Sequence, residues 1–139
     1  MIGDEVVQAA IIAKLKSLAP FGNVQSGEIK ELEWQGDTFT YPNIRVDLES
    51  NEYVFDEQER CMLQYVEFSV YVFSEQRSSK ECSQIKTLVS NALGGLGFNN
   101  TTHGVRFSRL RLVDNVPAVR ESERAWRSQI KLGSRISPI

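Results

Sequence analysis

The chain has 139 residues, of which 41% are hydrophobic and 24% charged, and a formal net charge of −2. That is the profile of one ordinary folded domain, and it excludes collagen-like, linker-dominated and wholly disordered classes. No run approaches the roughly 18 apolar residues of a spanning helix, and the acidic start Met1-Ile2-Gly3-Asp4-Glu5 is unlike a secretory leader, so a soluble intracellular domain is expected.

In chain order, the first expected element is a helix from about Gly3 to Leu18. Val6, Ala9, Ala10, Ala13 and Leu15 recur at helical spacing, Ile11 and Ile12 widen the stripe, and Asp4 and Glu5 suit the positive end of the macrodipole. Ala19-Pro20-Phe21-Gly22 stops it. From Asn23 to Tyr41 the sequence is polar and reads mostly as loop, with weak alternation around Ile29, Leu32 and Trp34 that leaves a short strand as an option. Ile44, Val46 and Leu48 alternate with Arg45, Asp47 and Glu49, the pattern of a half-buried strand. Residues 50–60 read as an exposed acidic excursion, with a short strand at Tyr53-Val54-Phe55 as an option.

Met62–Phe73 carries the clearest strand signal, with Val66, Phe68, Val70 and Val72 on one face and Tyr65, Glu67, Ser69 and Tyr71 on the other. A central place in the sheet is expected for it. A second helix follows over Ser79–Leu93: Ser78 and Glu81 fit a capping box, and Cys82, Ile85, Leu88, Val89 and Ala92 form its apolar stripe. Gly94-Gly95-Leu96-Gly97 ends that helix. Val105-Arg106-Phe107 and Leu110-Arg111-Leu112 form a strand with a phase slip at Ser108-Arg109, which predicts a bulge. A turn is expected at Asn115-Val116-Pro117, and Trp126, Ile130 and Leu132 alternate with Arg127, Gln129 and Lys131 in the last strand. The order predicts a single α+β domain over 1–139: a mostly antiparallel sheet of four to five strands with two helices on one face.

Chemistry-bearing motifs are sparse. Cys61 and Cys82 read as reduced thiols, and with His103 the sole histidine, neither a spaced zinc site nor a Ser–His–Asp or Cys–His assembly can be drawn. The glycine run follows a helix, where a phosphate loop would precede one. Ser83-Gln84-Ile85-Lys86 and Ser128-Gln129-Ile130-Lys131 match a Ser-x-x-Lys pattern without its companion motifs. No catalytic, metal or cofactor site is therefore expected.

The charges are unevenly distributed along the chain. In residues 1–60, twelve acids against five bases leave −7, and in residues 106–139, eight bases against three acids leave +5. Such polarity can neutralise itself within the fold or serve head-to-tail self-association. Candidate interface residues are Arg106, Arg109, Arg111, Arg124 and Arg127, with Glu52, Asp56, Glu57 and Glu59 as the opposing patch. Trp34, isolated in a polar segment, is a candidate partner contact.

The order of elements carries a family resemblance. An amphipathic N-terminal helix leads to Tyr41-Pro42-Asn43-Ile44-Arg45-Val46-Asp47-Leu48, then to the strand Val66–Ser74. A helix ending in Ala92-Leu93 follows, and the closing strand contains Trp126-Arg127-Ser128-Gln129-Ile130-Lys131-Leu132. This resembles the tail terminator and tail-completion proteins of long-tailed bacteriophages, the lambda-type minor tail protein among them. The resemblance implies a non-enzymatic virion protein, assembled in the bacterial host cytoplasm as a homo-hexameric ring on the head-proximal end of the tail. Its partners would be further copies of itself, the tail-tube protein and a head-completion protein. It would have no membrane contact, and DNA would meet it only in passing through the channel. The alternative is a non-catalytic nucleic-acid or regulatory binding module on a similar two-layer fold.

Overall fold

The computed structural model describes residues 2–34, 40–54 and 63–139. Within them the elements are α1 (Asp4–Leu18), β1 (Ile29–Glu31), β2 (Asn43–Val54), β3 (Leu63–Glu75), α2 (Lys80–Leu93), β4 (Phe98–Asn100), β5 (Val105–Phe107), β6 (Arg111–Arg120) and β7 (Ala125–Pro138).

α1 begins with Asp4 and Glu5 and has Lys16 in its last turn, matching the macrodipole at both ends. Its buried face is Val7, Ala10, Ile11 and Leu15: of the predicted stripe Ala10, Leu15 and the widening Ile11 are buried, Val7 joins them, Val6 and Ala9 are half-buried, and Ala13 is exposed. A helix apolar almost all round has no period to fix its rotation, so packing decides which face turns inward. α2 buries Cys82, Ile85, Val89 and Leu93, while the predicted Leu88 is 45% exposed. The expected capping box does not form. Ser79 is the N-cap without a side-chain hydrogen bond, and Glu81 instead accepts from Asn23 Nδ2 at 3.2 Å.

The sheet is larger than four to five strands, and it is mixed. Its order is β1-β2-β3-β7-β5-β4, with β6 also paired to β7. β1 runs parallel to β2, and every other pairing is antiparallel. β1 and β4 are three residues each; β1 falls at the weak alternation around Ile29, and β4 comes from a stretch too short to show an alternating period. β3 is central, as its pattern predicts, flanked by β2 and β7 along nearly its whole length.

β5 and β6 share the other edge of β7. Between them the chain advances four residues, from Phe107 to Arg111, while β7 recedes three, from Ile136 to Gly133. The extra residue is the bulge that the phase slip predicts. It swings Leu110 into the core, where its backbone bonds Gly95 N–H and Leu96 O just past α2. Gly95 has φ +77°, a conformation a side chain would resist.

Three other expectations need correction. Asn115-Val116-Pro117 is not a turn: β6 runs through it to Arg120, and the hairpin to β7 lies at residues 121–124. Pro117 is accommodated because β6 is an outer strand and its register slips between Val116 and Val119. Ser50–Val54 continue β2 past a bulge at Glu49 instead of leaving the sheet. The Asn23–Tyr41 segment also contributes core: Phe21 and Val24 pair across a tight turn at Gly22 (φ +59°), and both are buried with Ile29.

One hydrophobic core joins both helices to a single sheet face formed by Ile44, Val46, Val66, Phe68, Val70, Val72, Ile130, Leu132 and Ile136. Neither α-helix packs on the opposite face. No helix among the described residues is long and apolar enough to cross a membrane.

Candidate interaction surface

The helix-free face is built by the register of β2, β3, β7 and β6. Strand partners share a face, which stacks Glu52 with Tyr65 and Arg135, Ser50 with Glu67, Gly133 and Arg111, and Asp47 with Ser69, Lys131 and Asp114. Further along lie Arg45, Tyr71, Gln129 and Val116, then Asn43, Phe73, Arg127 and Val119.

Lys131 anchors the centre, with Nζ 2.8 Å from Glu49 and 3.3 Å from Glu67. Ser69 donates to Glu49 and accepts from Gln129 Nε2 at 2.8 Å. Burial alone would push the Glu49 carboxyl up, but the hydrogen bonds from Lys131 and Ser69 outweigh it and hold the group below its ordinary range. The same two acids raise Lys131. Asp47, lacking such a donor, is pushed up by burial and by its neighbours Glu49 and Glu33. Arg45 is buried and donates from Nη1 to Glu28 O at 2.9 Å and Ile44 O at 3.0 Å, and burial lowers its pKa.

The predicted interface residues fall into three positions. Arg106, Arg111 and Arg127 lie on this face with Lys131 and Arg135, on the β7/β6/β5 side. Arg109 sits at the bulge and Arg124 in the β6–β7 hairpin, both exposed and neither ion-paired among the described residues. Glu52 is exposed on the same face at the far margin, in β2. The uneven charge of the sequence is thus a sideways gradient across one sheet. Arg127 is already engaged within the chain, 3.1 Å from Glu121 and over the Tyr71 ring. Trp34 is 45% exposed beside β1 with Lys30 Nζ 4.2 Å from its ring centroid. Asp56, Glu57 and Glu59 lie outside the described residues.

Sequence reasoning found only the start of β6, at Leu110-Arg111-Leu112, and missed its continuation through Pro117 to Arg120. Eight of its ten residues are exposed, with Val116 and Ala118 half-buried. Leu112, Val113 and Val119 are 46%, 43% and 41% exposed, so apolar surface sits on a strand whose outer edge no described strand pairs. Neither the alternation nor the expected turn pointed there, because Pro117 reads as a break.

The chemistry of the remaining features is structural. Cys82 Sγ lies 3.3 Å from Val72 O and 3.2 Å from Ser128 Oγ, and burial pushes the thiol up, away from nucleophilic use. His103 closes a turn on Asn100 Oδ1. Among the described residues no group of three or more His, Cys, Asp or Glu could hold a metal ion. A groove of about 550 Å³ between the Gly22 turn and α2 is lined by Asn23, Glu81, Ser83, Ile85, Thr87 and Leu88; Glu81 accepts from Asn23 Nδ2, and Thr87 Oγ1 donates to Ser83 O.

No protein-family model matches the sequence, and no curated protein matches it. The fold itself is shared with a solved chain from the virion of a native gene transfer agent particle. That match has a TM-score of 0.69 and 17% identity, and covers 94% of this chain and 93% of the other.

Proposed function

We propose that this chain is a non-enzymatic structural protein of a phage or prophage particle that caps the head-proximal end of the tail tube. As a ring of six copies it would end tube polymerisation and present the head-joining surface, acting in the host cytoplasm during assembly and then in the virion. The observation that carries the reading is the shared fold, which matches a gene transfer agent virion chain over nearly the full length of both. The resemblance in element order to tail terminators narrows that to the capping role. A ring needs two different patches on each subunit, and a sheet acidic at one margin and basic at the other supplies them.

The test is deletion of the gene in its parent element, with tail length and head attachment scored by electron microscopy. Overlong or headless tails, restored by the gene in trans, are expected. Normal tails joined to heads would refute the capping role. Normal tails together with salt-dependent retention of the protein on DNA would point instead to a nucleic-acid-binding module.

A further inference from the structure

We infer that the outer edge of β6 pairs with the outer edge of β2 in a second copy of this chain, extending one sheet from subunit to subunit; this rests on the ring reading above and names its interface. The two edges are different. β6 offers ten residues, and among the described residues its outer edge has no strand partner; Val116 O accepts from Lys86 Nζ at 3.3 Å, Asn115 N–H donates to Asp114 Oδ1 at 2.8 Å, and Pro117 has no N–H. β2 is covered by β1 only at Ile44–Val46, so its edge over residues 47–52 has no strand partner among the described residues. Unpaired strand edges of this length are templates for another strand.

Charge and apolar surface choose the partner. The β6 margin is basic through Arg109 and Arg111 and carries exposed Leu112, Val113 and Val119. The β2 margin is acidic through Asp47 and Glu52 and carries Tyr53, 41% exposed, with Leu32 and Trp34 beside it on the β1 side. Neither edge suits its own copy, since like charges would meet.

Strand direction agrees. β2 is antiparallel to β3, β3 to β7 and β7 to β6, so β6 runs opposite to β2. A rotation about an axis along the strands preserves direction, so β6 meets the next copy's β2 antiparallel, the pairing this sheet already favours. The contact joins unlike edges, so it is heterologous and closes a ring when the rotation does.

Charge-swap complementation tests this. Arg111→Glu makes positions 111 and 52 both acidic and Glu52→Arg makes them both basic, while Arg109 and Asp47 keep their charges. Both residues are exposed, neither is in an ion pair among the described residues, and circular dichroism should show each variant folded. Self-association is read by light scattering and sedimentation up to millimolar protein. Each variant alone should associate about tenfold more weakly than the unaltered chain. An equimolar mixture should recover most of that loss, because alternating copies restore an acid–base contact at every interface.

An unaltered chain that stays monomeric, or a mixture no better than its components, overturns the pairing. So does Glu52→Arg assembling normally, which would point to β6 pairing with itself. The two readings fail separately: complementation in solution with unaffected tails would spare the interface and sink the capping role. Tail defects without complementation would do the reverse.

Discussion

Replacing Phe68 with alanine separates the surface that holds the monomer together from the surface left for partners. Phe68 is fully buried in the central strand, registered with Leu48 on β2 and Leu132 on β7. Removing its ring leaves a cavity between strands held on both sides, which relax little. The expected loss is about 3–5 kcal/mol, a large part of the stability of a single domain. With a urea slope of about 2 kcal/mol per molar, the unfolding midpoint should fall by about 2 M.

Leu112→Ala on β6 is the matched control. Burying a leucine completely is worth about 1.5–3 kcal/mol, but Leu112 is 46% exposed, so the cost should be about 1 kcal/mol and the midpoint shift about 0.5 M. Urea titration followed by tryptophan fluorescence reads both variants. A Phe68→Ala loss below about 1 kcal/mol would refute a core centred on β3. A Leu112→Ala loss equal to that of Phe68→Ala would refute the exposed β6 edge.

Lys131→Met should change how stability responds to acid. Glu49 is held below its ordinary range, so its contribution is present above the unfolded carboxylate pKa and is lost as pH falls through the lower folded value. Without Lys131, burial pushes Glu49 up, and the stability gap between unaltered chain and variant should narrow between about pH 6 and pH 3; a gap constant with pH would refute the pairing. In a Cys61→Ser background, Cys82 should resist thiol reagents in the native state and react at once in urea, and rapid native labelling would contradict its burial. Gly133→Ala should destabilise by about 1–3 kcal/mol, because its new Cβ would run into Tyr65 Oη and approach Val113 Cγ2 at 3.3 Å. Most of that cost should vanish in a Tyr65→Ala background, and additive losses in the double-mutant cycle would refute the contact.

Where an element has one wet side and one dry side, its residues declare it. The alternation of Val66, Phe68, Val70 and Val72 settled the central strand, Cys82, Ile85 and Val89 settled α2, and the slip at Ser108-Arg109 settled the bulge. The opposed charges of the two ends were equally legible, because charge is a property of composition. What the sequence could not carry was pairing between distant segments. β1 and β4 are strands because neighbours offer them hydrogen bonds, Pro117 is tolerated because no described strand pairs the outer edge of β6, and the rotation of α1 follows from the sheet beneath it. Only the register of β2, β3, β7 and β6 turned two charged segments into opposite margins of one face. Local pattern reports which side of a strand is dry; it holds no information on what lies beside the strand, since those partners come from residues far along the chain.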